Sequence, residues 1–290
     1  MHLSVDSAVL ERSFDRVPFA FEHKLSALEL FDETSLHRLA QRYTDRDAFV
    51  ADGAPSADTP FYDVEHDTQR PSEALRLLDH QRRRILLKRP EGYDPAFRRL
   101  LSEIFAELLR MHAPLRAERV VRLESSVLIS SGDTITPFHF DPEISFFFQI
   151  AGEKRYHVYA PRAVHENELE RFYVKGVVDI GQLELGERDS SCEYVFALAG
   201  GRGMHQPQNA PHWVETSGGR SVSYVVSFET AQGRMRGRTR SFNHYLRRLG
   251  TEPAALGEHP SLDAAKAATM RVAIPMRRMV GRTLRRGRAR

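Results

Sequence analysis

In the run TPFHFDPEISFFFQIAGEKRYHVYAP, residues 136–161, His139 and Asp141 stand one residue apart in a stretch otherwise rich in phenylalanine. On a β-strand, side chains two apart share a face, so these two groups can converge on one point. An imidazole and a carboxylate make up two-thirds of a facial triad, two histidines and one carboxylate. That donor set holds iron(II) while leaving positions open for substrate and oxygen. The third ligand should come from a later strand, and GMHQPQNAPHWVET, residues 203–216, offers His205 and His212. His212 is preferred because it directly precedes the apolar strand start Trp213-Val214, where a barrel would aim it inward. His205, between Met204 and a Gln-Pro loop, fits a surface or turn role equally well. A His-x-Asp pair alone is a weak signal. Its company strengthens it.

Lys154 follows Gly152, which reads as a turn and would place the lysine on the neighbouring strand of a hairpin, near the metal. A buried lysine is costly unless it meets an anion. Thr136, three residues before His139, offers a hydroxyl to the same anion. A dicarboxylate chelating iron at one end and reaching Lys154 at the other would satisfy all of these groups. The bland alternative is a lysine exposed at the turn.

These residues need strands to position them. From about Val120 the sequence breaks into short β-branched or aromatic runs, RVVRLESSVLIS, FHFDPEISFFFQI, KRYHVYA, CEYVFALAG and SVSYVVSFET, separated by Gly, Pro and Ser. That spacing predicts an antiparallel sandwich or barrel. Two of Phe146, Phe147 and Phe148 are expected to pack between sheets, with Phe147, in phase with His139 and Asp141, walling the pocket. Tyr156, in phase with Lys154, is a candidate lining residue. Before Val120 the chain reads as mostly helical. SEALRLLDHQRRRILLKRP, residues 72–90, has near-helical apolar spacing with Ser72 as a cap. DPAFRRLLSEIFAELLRMHAP has Asp94 to cap, Pro95 at the first helical position and a stripe from Phe97 to Leu109.

The segment 136–161 resembles the Jumonji-C-like (cupin-8-type) iron(II) and 2-oxoglutarate oxygenases, among them the hypoxia-factor asparaginyl hydroxylase group and bacterial cupin-like relatives. In that family a Thr-Pro-x-His-x-Asp segment supplies two iron ligands and a hydroxyl for 2-oxoglutarate, matching Thr136, His139 and Asp141. Fifteen residues past that histidine, a Gly-x-Lys-Arg turn carries the lysine for the distal carboxylate, here Lys154 in GEKR. A Pro-x-x-x-x-His pattern supplies the distal ligand, matching Pro207 to His212. The resemblance covers residues 120–230. It implies a mainly β double-stranded β-helix (jelly roll) with Fe(II), 2-oxoglutarate as cosubstrate and O2, coupling 2-oxoglutarate decarboxylation to hydroxylation of a C–H bond. Two departures stand out. Ser145 and Ser227 occupy positions where the asparaginyl hydroxylase has Asn, which alters polar contacts to cosubstrate or water. The usual Gly-Asp before the distal strand is Gly201-Arg202 or Gly203-Met204 here.

The implied organisation is a helical region over 1–115, a β-helix core over 116–230 and a basic segment over 231–290. Residues 231–290 hold fifteen Lys or Arg against Glu252, Glu258 and Asp263, a net of +12, which leaves −9 for the rest of a chain whose total is +3. The arginine-rich end reads as a solvated tail, as a phosphate contact with nucleic acid, or as a basic amphipathic helix on an anionic membrane using Ile274, Met279, Val280 and Leu284. Cys192 is the only cysteine. That excludes an internal disulfide framework and a cysteine-rich zinc site, and it suits a reducing cytoplasm. The N-terminus lacks the basic start and apolar stretch of a secretory leader. A homodimer is compatible with this pattern. Two competing readings remain: a cupin-fold regulatory or binding protein acting through its basic tail, and a metal-cupin enzyme that does not use 2-oxoglutarate. The prime substrate, small molecule or protein side chain, is not written in the motifs.

Overall fold

A computed structural model of the chain describes residues 1–44, 47–64, 66–174 and 181–287. Its strands are β1 (Leu3–Ser4), β2 (Phe19–His23), β3 (Ala48–Ala51), β4 (His66–Asp67), β5 (Arg84–Lys88), β6 (Val120–Ser130), β7 (Thr134–Phe140), β8 (Ile144–Tyr159), β9 (Gly181–Gln182), β10 (Glu193–Leu198), β11 (Arg202–Gln206) and β12 (Pro211–Thr230). Its α-helices are α1 (Ser7–Ser13), α2 (Glu33–Gln41), α3 (Pro71–Arg76), α4 (Pro95–Met111), α5 (Ala113–Ala117), α6 (Glu166–Tyr173), α7 (Ala231–Arg248) and α8 (Pro260–Gly287). The chain divides into two compact units, one of Met1–Ala163 and Ile180–Glu229, the other of Val164–Asp179 and Thr230–Arg290.

In the first unit, two long strands belong to both sheets of a jelly roll. The first half of β8 pairs antiparallel with β11 and with the second half of β12 (Phe148↔Tyr224, Ser145↔Ser227). Its second half pairs with β10 and with the first half of β12 (Leu198↔Lys154, Thr216↔Lys154). Strands β6, β5, β3 and β4 extend the first sheet, and β7 and β9 extend the second. Both long strands bend at glycines with positive φ, Gly152 at 71° and Gly218 and Gly219 at 73° and 105°. A Cβ on Gly152 would lie 2.4 Å from the Arg220 carbonyl oxygen, so the bend admits no side chain there. This corrects the expected hairpin. The chain does not reverse at Gly152, because β12 partners β8 on both sides of it, and Lys154 sits further along the same strand, in the second sheet.

The helices before β6 cover one face of the first sheet. Phe97, Leu100, Leu101, Ile104 and Leu108 of α4 join Ile85, Leu87, Val127, Ile129, Phe146, Phe148, Tyr224 and Phe228 in one core. Asp94 caps α4 by accepting from the Ala96 N–H at 2.8 Å, with Pro95 at the first turn, as the sequence predicts. Phe146 and Phe148 therefore pack between sheet and helices, and only Phe147 faces the second sheet, joining Tyr156, Val158, Leu198, Met204 and Val214.

Residues 72–90 are not one helix. The helix ends at Arg76, with Arg70 rather than Ser72 at its cap, and Arg84–Lys88 is strand. There Ile85↔Ile129 and Leu87↔Val127 pair with β6, while Val50↔Ile85 pairs with β3. Backbone partners on both edges outweigh a local helical spacing.

In the second unit, Thr230 caps α7 and two arginines of α7 meet acids of α6: Arg240 with Glu166 at 2.8 Å and Arg247 with Glu170 at 2.9 Å. Part of the basic charge is thus structural. Helix α8 runs through Pro275. The side chains from residue 277 onward, including Met279, Val280 and Leu284, lie outside the described residues, as do residues 288–290. Among the described residues, no helix is long and apolar enough to cross a membrane.

Candidate metal centre and buried cations

Antiparallel pairing of β7 with β12 places His139 directly opposite His212. Asp141 follows the end of β7, and its backbone carbonyl accepts from the Asn209 N–H at 2.9 Å. The Gln208 side chain donates to the Pro142 carbonyl at 2.9 Å. These bonds tie the turn before His212 to the segment carrying Asp141. As a result, one ligand atom from each of His139, Asp141 and His212 lies within 4.8 Å of the others. The two imidazole centroids are 4.1 Å apart, and His212 Nε2 is 3.7 Å from Asp141 Oδ2.

Each imidazole is oriented by its own backbone. His139 Nδ1 lies 2.7 Å from the Pro137 carbonyl, and His212 Nδ1 lies 3.2 Å from the Ala210 carbonyl. A carbonyl only accepts, so Nδ1 carries the proton in both rings and each Nε2 presents a lone pair. Burial holds both rings below the ordinary histidine pKa. For His139 the neighbouring His212 adds to that effect, while for His212 the Asp141 carboxylate partly offsets it. Two neutral imidazoles and a carboxylate form a donor set suited to iron(II).

His205 goes elsewhere. Its ring packs in the helix-side core near Phe14, Phe19 and Phe146. Its Nε2 accepts from the Asp15 N–H at 3.0 Å, and its Nδ1 meets the Ser145 carbonyl at 3.2 Å. Burial pushes its pKa down to about 3.

Lys154 is 5 % exposed, and its ammonium sits 5.7 Å from the centroid of the Phe147 ring. It has no hydrogen-bond or ion-pair partner among the described residues. Burial first, then the charge of Arg84, lowers its pKa to about 7. Thr136 is half-buried on β7 opposite Val214, and its hydroxyl bonds no described residue. Ser145 and Ser227 face each other across β8 and β12, their hydroxyl oxygens 3.0 Å apart. Tyr156 and Lys154 both pack on the Phe147 ring, and Tyr156 also reaches the metal ligands. Its ring stacks on His212 at 5.4 Å, and its hydroxyl donates to Gln206 Oε1 at 2.8 Å.

Sequence reasoning missed three neighbours. Gln206 keeps a buried Nε2 without a partner among the described residues. Glu143 pairs with Arg122, and burial together with nearby Asp141 pushes its pKa up to about 8. Arg84 lies close enough for its charge to depress both Lys154 and His139. Period-two spacing from Asp141 could have found Glu143. Nothing in RRRILLKRP marks Arg84 out from its neighbours.

No family model matches the sequence, and no curated protein matches it. The fold is shared with solved structures of YcfD, a ribosomal oxygenase from Escherichia coli. One superposes with a TM-score of 0.51 at 16% identity, covering 94% of this chain and 67% of that one. Another, in complex with cobalt and 2-oxoglutarate, gives a TM-score of 0.50 at 17% identity with the same coverage.

Proposed function

We propose that the protein is an iron(II)- and 2-oxoglutarate-dependent oxygenase that hydroxylates a C–H bond of a small molecule or protein side chain. The observation that carries this reading is the pairing, inside one barrel, of the His139–Asp141–His212 donor set with a buried lysine that meets no counter-anion among the described residues. His139, Asp141 and His212 would hold the metal. Lys154, with the free hydroxyl of Thr136, would hold the far carboxylate of 2-oxoglutarate. With iron(II) and 2-oxoglutarate bound, O2 would be the oxidant: one of its atoms would enter succinate as carbon dioxide leaves, and the other would enter the substrate C–H bond.

The chain's own residues prepare that chemistry in three ways. The Nδ1–H groups of His139 and His212 donate to backbone carbonyls, fixing each ring so that its Nε2 lone pair would be free to bind a metal ion. Phe147, Met204 and Val214 supply the dry wall that strengthens a charge-assisted bond at Lys154. Tyr156 packs on His212, and its hydroxyl is committed to Gln206, which leaves the Gln206 Nε2 as a donor for a bound ligand. Ser145 and Ser227 bond each other and so would act on the cosubstrate through packing. The fold shared with a ribosomal oxygenase supports this reading, and the lone Cys192 suits a reducing compartment where iron(II) persists.

Anaerobic titration of the protein with iron(II) and 2-oxoglutarate should give a weak visible charge-transfer band, followed by succinate when oxygen is admitted. A band-free mixture that makes no succinate would return the chain to the class of metal cupins or binding proteins.

A further inference from the structure

Among the described residues, Lys154 is not the only cation of the barrel without a hydrogen-bond or ion-pair partner. Arg84 begins β5, with Ser130 of β6 on one side and Ala51 of β3 on the other. Ile85 and Leu87 point into the helix-side core, so the two-residue alternation of a strand puts Arg84 on the opposite face, toward the second sheet. The register also fixes its depth. Ser130 lies just before the turn at Gly132, whose Cβ position would fall 2.7 Å from the Gly219 nitrogen, at the bend of β12. Lys154 lies two residues past the matching bend of β8, opposite Thr216, which in turn is opposite Thr134 just after Gly132. Arg84 and Lys154 therefore spring from the same end of the barrel, with His139 and His212 further along β7 and β12, and the charge of Arg84 reaches Lys154.

Among the described residues Arg84 makes no hydrogen bond and no ion pair. By contrast the adjacent Arg83 meets both Asp52 and Asp67. Lys154 is buried and Arg84 half-buried, and two like charges drawn partly or wholly out of water without a counterion are unfavourable through desolvation and through mutual repulsion. Burial indeed lowers Arg84 to about 10, and Arg84 lowers Lys154 further. A carboxylate placed between them removes both penalties and offers the guanidinium a forked acceptor.

We propose that Arg84 is the second cation of the site that Lys154 serves, so that the far carboxylate of 2-oxoglutarate is gripped between an ammonium and a guanidinium. This rests on the cosubstrate reading above. It makes Arg84 a determinant of cosubstrate choice, one that favours a dicarboxylate over a monocarboxylate 2-oxo acid.

The test titrates the full chain, loaded with cobalt(II), with 2-oxoglutarate and with glutarate, a dicarboxylate that lacks the keto group and reads the far end alone. Arg84→Met should weaken both ligands by roughly ten- to a hundredfold, the worth of one charge-assisted hydrogen bond, while cobalt(II) affinity stays at the wild-type value. Ligand-free Arg84→Met should melt no lower than wild type, since the lost charge had no partner, and it should lose most of the melting-point gain that 2-oxoglutarate gives. Arg84→Lys, which keeps the charge without the fork, should fall between. Wild-type 2-oxoglutarate affinity in both Arg84→Met and Arg84→Gln, with loss in Lys154→Met, would overturn the assignment and leave the cosubstrate reading standing. So would weakening confined to 2-oxoglutarate, because Arg84 would then act through the metal end. A cobalt-loaded wild type that binds no 2-oxoglutarate would instead sink the cosubstrate reading, and this inference with it.

Discussion

The two ends of the barrel interior are built on opposite principles. At the metal end the two imidazoles and the Asp141 backbone are oriented before anything binds: both Nδ1–H groups are spent on carbonyls, and the Asp141 carbonyl accepts from Asn209. At the other end, Lys154 and Arg84 meet no counter-charge among the described residues. The first arrangement favours tight, geometry-selective metal binding through rigid donors. The second stores unfavourable electrostatics that only an anion relieves, so selectivity there should be for charge. A chain stabilised by its own contacts would not keep the second arrangement. Its presence is the physical reason for assigning a ligand to that end.

The largest expected effect breaks the metal end alone. His139→Ala and Asp141→Ala should each abolish iron-dependent succinate formation, a loss well beyond the roughly 10–100-fold that removal of an outer hydrogen bond costs. Neither residue belongs to the apolar clusters that hold the sheets, so the melting temperature without metal should change little. Succinate assays and thermal melts with and without cobalt(II) check both halves. Wild-type turnover in either variant would make the triad incidental.

A paired substitution sharpens the same end. His212→Ala should lose the metal and keep the fold. His205→Ala should do the reverse, retaining metal while losing about 2–4 kcal/mol of stability, because it vacates a buried site among Phe14, Phe19 and Phe146 and strands the Asp15 N–H. Isothermal titration with cobalt(II) beside urea unfolding separates the two. Loss of metal only in His205→Ala would invert the ligand assignment.

At the charged end, Lys154→Met keeps length and removes charge. It should raise the 2-oxoglutarate requirement by about ten- to a hundredfold while cobalt(II) affinity is unchanged, the opposite signature to the triad variants. An unchanged half-saturation point would place the anion elsewhere.

The contrast between the ends also explains what could be read from the sequence. Local spacing sufficed to bring His139 and Asp141 together, although Asp141 lies one residue past the end of β7 and is tied there by the Asn209 N–H rather than by strand pairing. The α4 stripe and its Asp94 cap were legible for the same reason. Legibility failed wherever position depends on distant pairing. Gly152 reads as a turn, yet the partner strand β12 carries the chain through it as a bend. Arg84–Lys88 has near-helical apolar spacing, yet β3 and β6 claim its backbone. His205 and His212 look alike in one dimension, and only the register of β11 and β12 sends them to opposite faces of the sheets.

The smallest effect expected is in pH. Burial and Arg84 bring Lys154 down to about 7, so in the ligand-free protein it carries its charge only below about that pH. A bound carboxylate favours the ammonium, so the pKa in the complex is higher than in the free protein. Between those two values 2-oxoglutarate binding takes up a proton. Affinity should therefore be flat below pH 7 and fall above it, by at most about tenfold per pH unit. Stability of the free protein should move the other way. The unfolded lysine, near pH 10.4, binds a proton that the folded one has released, so this group makes the native state more stable as pH rises from about 7 to about 10. Glu143, raised to about 8, acts with the opposite sign up to that pH and so overlaps the lower part of this range, and its contribution must be removed. The difference between wild type and Lys154→Met cancels it to first order. That difference in 2-oxoglutarate affinity should narrow steadily above pH 7 and approach zero once wild-type Lys154 is neutral in the complex as well. A difference constant from pH 6 to pH 9 would mean that Lys154 keeps an ordinary pKa, and that it reaches water rather than a dry wall.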